Sequence, residues 1–63
     1  MSGEMPKESL KWKVRFNTVD GMFSFVNISR KINPIPIEEI QEWAELRVES
    51  EELFSSIDSI ESL

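Results

Sequence analysis

Glu38, Glu42, Glu45 and Glu49 recur at i, i+4, i+7 and i+11. On a helix that spacing gathers the four carboxylates into one stripe about 60° wide. Neighbours in the stripe would lie about 5–6 Å apart, where like charges cost roughly a few tenths of a kcal/mol per pair. A helix selected for its own stability would alternate Glu with Lys, yet no lysine follows Lys31. The chemistry open to such a row is electrostatic. It is either a solvated face or one side of a contact with a basic surface, and carboxylates in a row can stand in for backbone phosphates. A second set has the opposite sign: Lys11, Lys13 and Arg15 alternate with apolar residues in "LKWKVRFNT", and Arg30 lies opposite them if the chain turns back. Cations interleaved with aromatic rings on a sheet can stack and track single-stranded nucleic acid.

Enzymatic chemistry finds little support. The 63 residues include no histidine, cysteine or tyrosine, which removes the commonest general base, the thiol nucleophile and disulfides. The carboxylates form surface runs, and Asp58-Ser59-Ile60-Glu61 lacks the glycine and alternating oxygens of a calcium loop. The reading is a non-enzyme with no cofactor and no metal. The polar start "MSGEMPKESL" lacks the apolar stretch of a signal peptide, and no apolar run reaches the roughly 18 residues of a membrane span. A soluble, cytoplasmic protein is expected.

Charge divides the chain. Residues 1–31 carry six basic and three acidic groups, whereas residues 32–63 carry nine acids against Arg47 alone. One domain of this size buries only about 60% of the surface its unfolded chain exposes. Without disulfides or a metal, oligomerisation is the remaining support.

The elements that must position these groups follow from periodicity. Residues 1–8 read as a flexible lead-in and 9–63 as a single small domain. Residues 9–17 alternate with period two, "TVDG" supplies a turn, and 22–30 return as the second strand of a hairpin over 9–30. Val19 and Asp20 suit the centre of a type I turn, with Gly21 in the left-handed region after it. A two-residue turn would put Phe23 and Phe25 on the Trp12 face. A three-residue loop sets Val14 against Val26 and Trp12 against Ile28, leaving Phe23 and Phe25 among the cations. In either register the second strand has large apolar groups on both faces, so Phe23, Phe25, Val26 and Ile28 are read as a dimer interface, with two-fold symmetry the commonest arrangement. The alternative cover is the acidic C-terminal segment folded over that face within one chain.

Pro34 and Pro36 hold the next segment extended, and Pro36 opens a helix over 36–49 whose core face is Ile37, Ile40, Ala44 and Val48, with Trp43 beside them. In the C-terminal element 51–63, Leu53, Phe54, Ile57, Ile60 and Leu63 are spaced by three or four. A short second helix capped by Ser50 is preferred there, with a third strand as the rival.

The expected fold is α+β: an antiparallel hairpin packed by one amphipathic helix, with a short C-terminal helix or third strand. In size, charge and element order, a hairpin followed by an acidic helix resembles the small DNA-mimic inhibitors of bacteriophages. That resemblance implies a phage or mobile-element regulator without assigning any residue a role. The functional expectation is a small acidic protein that binds a basic surface of a partner protein through Glu38, Glu42, Glu45 and Glu49. The alternatives are a nucleic-acid-binding module on the Lys11, Lys13, Arg15 and Arg30 face, which the net charge of −5 opposes, and a structural oligomer subunit. In the favoured reading, Lys11, Lys13 and Arg15 protect a sheet edge and supply counter-charge to the acidic half.

Overall fold

The computed structural model describes residues 6–63, so the first part of the expected lead-in lies outside the described residues. Five strands and one helix follow in the order β1 (Glu8–Ser9), β2 (Lys11–Thr18), β3 (Phe23–Ser29), β4 (Ile35–Pro36), α1 (Ile37–Ser50) and β5 (Phe54–Ser62). A three-stranded antiparallel sheet has the order β3-β2-β5, and β1 pairs with β4 as a separate two-stranded ribbon. This is the expected α+β class, with the hairpin packed by one helix.

Strand β2 is central because its alternation is strict. Trp12, Val14 and Phe16 are fully buried, and Thr18 completes the inner face. Its register with β3 is that of the three-residue loop: Val14 faces Val26 and Trp12 faces Ile28. The turn sets this register. Gly21 has φ 86°, its N–H donates to the Thr18 carbonyl at 3.1 Å, and the Thr18 N–H donates to the Met22 carbonyl at 3.0 Å. The Thr18 hydroxyl donates to Asp20 Oδ1 at 2.5 Å, and the Met22 N–H reaches both side chains, at 3.0 and 3.2 Å. Those donors hold the Asp20 carboxyl below its ordinary range, the Thr18 hydroxyl being the largest influence.

The connection to the helix is fixed by Trp12. Its indole Nε1–H donates to the Ile35 carbonyl at 2.9 Å inside the core, and Ile35 is itself buried. Pro34 and Pro36 keep that carbonyl in extended chain, and Asn33, at φ 63°, makes the bend before them. Pro36 is the residue just before α1 and not its first helical residue. Among the described residues no side chain caps the helix; instead the Ile37 N–H donates to the Lys7 carbonyl at 2.8 Å. Residues 7–9 are therefore tied to the body, and the expected lead-in does not reach residue 8.

The helix lies against the inner face over β2 and β5. Ile40 and Ala44 are buried, and Ile37, Trp43 and Val48 pack around them. Phe16 stacks on Phe54, with centroids 4.3 Å apart, and meets Trp43 at 6.1 Å.

The C-terminal element is the third strand, so the preferred short helix is corrected. Two bulges explain the misleading spacing. Arg15 pairs with Ser59 but Phe16 with Ile57, and Asn17 pairs with Ser56 but Thr18 with Phe54. Asp58 and Ser55 are the extra residues. Each lengthens the two-residue repeat to three, so Phe54, Ile57 and Ile60 all face the core with a helix-like period. No helix among the described residues is long and apolar enough to cross a membrane.

Replacing Trp12 with Phe keeps an aromatic ring but strands the Ile35 carbonyl and opens a small void. The expected cost is about 2–3 kcal/mol, seen as a drop of about 1–2 M in the urea midpoint followed by circular dichroism. The turn gives a pH signature. The Asp20 pKa is lowered on folding, so its contribution is fully present above the unfolded carboxyl value of about 3.9 and disappears as pH falls through the lower folded value. Thermal melts should therefore show an Asp20→Ala deficit at neutral pH that shrinks below about pH 4.

Candidate partner-binding surfaces

The outward face of α1 follows from the position of its core face. With about 100° per residue, Glu38, Glu42, Glu45 and Glu49 centre roughly 125° from the arc of Ile37, Ile40, Ala44 and Val48. All four are exposed, and none lies within 4.0 Å of a cationic group among the described residues. The expected stripe thus forms on the side of the molecule away from the sheet. Its carboxylates advance along the axis by about 1.5 Å per residue, one charge per 5–6 Å or so. Duplex DNA carries one per roughly 1.7 Å, and one strand one per roughly 3.4 Å. The row therefore carries about a third of the charge density of a duplex.

Neighbouring acids behave differently. Glu39, roughly 60° around the helix from Glu42, pairs with Arg30, which follows β3. Glu51 meets Arg47 at 3.7 Å, and the Arg47 guanidinium also lies 5.6 Å from the Trp43 ring centre. The only cation after residue 31 is thereby turned towards the core side and away from the stripe. Leu46, 64% exposed beside Glu42 and Glu49, is an apolar member of this surface that the sequence reading missed. Its signal was available: it falls outside the spacing of the core positions.

The opposite side of the molecule is the outer face of the sheet. Lys13, Arg15 and Asn17 project there from β2, Phe23 and Phe25 from β3, and Ser56, Asp58 and Glu61 from β5. Lys13 Nζ sits 4.8 Å from the Phe25 ring centre and the Arg15 guanidinium 4.9 Å from that of Phe23. Arg15 also binds Asp58 at 2.5 Å, and Asn17 donates to the Ser56 hydroxyl at 3.0 Å. Asp58 reaches Arg15 as the inserted residue of a bulge, which no periodicity could reveal. Lys11 remains exposed at the start of β2.

Two expectations for these residues change. β2 is the middle strand, so Lys11, Lys13 and Arg15 do not guard a sheet edge; counter-charge to the acidic half is what Arg15 and Arg30 supply. The four residues grouped as a dimer interface divide between faces. Phe23 and Phe25 are 54% exposed on the outer face, whereas Val26 and Ile28 are half-buried against the core. Among the described residues the structure encloses no pocket, and no three acidic side chains are grouped to hold a metal ion.

No protein-family profile, no curated protein and no solved structure matches the chain.

The Arg15–Asp58 pair is partly exposed, with side-chain accessibilities of 40% and 27%. A double-mutant cycle with Arg15→Ala and Asp58→Ala in urea denaturation should give a coupling of about 0.2–1 kcal/mol, lowered by salt.

Proposed function

We propose that this chain is a small non-catalytic regulator that binds a basic surface of a partner protein through the outward face of α1. One observation carries the reading. Arg15, Arg30 and Arg47 each pair with an acid off the stripe, while Glu38, Glu42, Glu45 and Glu49 stay exposed with no cation beside them among the described residues. The fold spends its arginines elsewhere and leaves a row of mutual repulsion, which a complementary surface would relieve. Exposed Leu46 gives the row an apolar contact beside its charges. The partner's surface is a file of Lys and Arg side chains, such as one that otherwise holds nucleic acid. Competition of this kind is the work of a phage or mobile-element inhibitor. A single row has too few charges per length to replace a duplex unaided.

Nucleic-acid binding by the sheet face is the weaker reading. Lys13 and Arg15 do lie over aromatic rings there. Asp58 neutralises Arg15, Glu61 faces Lys13 across the sheet, and Arg30 is held by Glu39, so little free positive charge remains for phosphates.

The test is reversal of the row. Wild-type protein should retain a stoichiometric basic partner from nuclease-treated lysate and release it at high salt. The Glu38→Lys, Glu42→Lys, Glu45→Lys variant should weaken that complex about 100-fold or more, since like charges brought together across an interface cost several kcal/mol. Undiminished capture by the triple variant refutes the proposal.

A further inference from the structure

The sheet has two free edges, and they are built differently. On β5 the edge is broken by two bulges and carries Asp58 and Glu61, both devices that discourage strand pairing. On β3 the edge is seven residues, "FSFVNIS", with no charge, no proline and an unbroken register. Hydrogen bonding identifies the groups it offers. Arg30 N–H donates to the Leu10 carbonyl at 2.9 Å and Thr18 N–H to that of Met22, so the even-numbered residues of β3 bond to β2. The alternation of an antiparallel ladder then points the N–H and C=O groups of Phe23, Phe25, Asn27 and Ser29 outward. Among the described residues no element pairs with them. The same strand is also the least covered, because α1 lies over β2 and β5.

We propose that the β3 edge pairs with the β3 edge of a second copy, antiparallel about a two-fold axis at Val26, joining two three-stranded sheets into one. This register uses the whole strand. Phe25 faces Asn27 of the second copy and Phe23 faces Ser29, so every outward backbone group gains a partner. On the inner face Val26 meets its own counterpart and Ile28 meets Ser24, extending the apolar layer across the axis. On the outer face the two Phe25 rings become diagonal neighbours.

Charge favours a second copy over an unrelated strand. Asp20 precedes β3, and Arg30 and Lys31 follow it. Antiparallel pairing of identical edges sets Lys31 of one copy alongside the turn that carries Asp20 of the other, twice, while Arg30 stays with Glu39. The acidic stripes sit on the far side of α1, so the net charge of −5 does not converge at this edge. The axis runs perpendicular to the sheet, which puts both helices on one side and both rows of carboxylates on one surface. The pairing and the placement of the two rows stand on β3 itself and are independent of the proposed partner binding.

Sedimentation equilibrium and amide hydrogen exchange test it together. Wild type should be a dimer, and the amides of Phe23, Phe25, Asn27 and Ser29 should exchange at least about ten-fold more slowly as concentration rises. The F25E/N27E variant places like charges opposite each other at both pairs and should sediment as a monomer with native circular dichroism. In F25E/N27K opposite charges face across the axis, and the dimer should return. A monomeric wild type, a dimer whose four edge amides exchange freely, a dimeric F25E/N27E, or failure of F25E/N27K to reassociate each overturns the pairing. Because the exchange readout uses wild-type protein, it decides the matter even if a variant fails to fold. The Glu38, Glu42 and Glu45 reversal leaves β3 untouched, so loss of partner capture with an intact dimer refutes neither proposal, whereas loss of the dimer alone leaves the acidic row standing.

Discussion

Strand β2 lies between two antiparallel neighbours, and core, helix and both outer faces take their positions from it. Among the described residues it is the only strand of the main sheet paired on both sides. Its inner face supplies three of the seven apolar residues buried among those described. Phe16 stacks on β5 through Phe54 and touches α1 through Trp43, while Trp12 hydrogen-bonds the chain just before the helix. Burial of an indole N–H is tolerated only where it finds an acceptor. The Ile35 carbonyl is that acceptor, so one hydrogen bond both satisfies the core and fixes where the helix begins. A domain this small has little surplus stability to lose, which concentrates its tolerance for substitution on the outer faces.

Those outer faces separate two kinds of electrostatics. On the sheet side, cations are neutralised locally: Arg15 by Asp58, with aromatic rings under Lys13 and Arg15. At the helix, Arg30 and Arg47 are taken up by flanking acids. The outward row of glutamates is exposed, with no cationic partner among the described residues. Exposed pairs of this kind contribute little to stability, so their arrangement bears on recognition more than on folding. The two sides act independently, because the sheet and core lie between them and exposed charges are screened over about 8–10 Å at physiological salt.

Hairpin geometry links these surfaces to the edge. The three-residue loop closed by Gly21 sends Val26 and Ile28 inward and Phe23 and Phe25 outward. The same parity decides which backbone groups of β3 face β2 and which face outward. A turn of three residues thus sets side-chain faces, the aromatic–cation contacts and the composition of the free edge at once. The bulges of β5 do the reverse at the other edge, breaking the ladder while carrying Asp58 to Arg15.

Elements with local signals are legible along the chain. The alternation of Trp12, Val14 and Phe16 identified the central strand's inner face. Ile37, Ile40, Ala44 and Val48 marked the helix, and the acidic stripe followed from the same angles. Gly21 permitted the loop that occurs, but the sequence left the register open between two parities, because β3 is apolar on both faces. Only the tertiary structure chose between them, through the hydrogen bonds of the turn and the packing of Val26 and Ile28 on the core. The C-terminal strand was hidden for a different reason. Bulges at Ser55 and Asp58 are accommodations to the strand beside them, and they stretch a period of two into a period of three that imitates a helix. A period can be read along one chain; an inserted residue is defined only by the partner strand that does not match it.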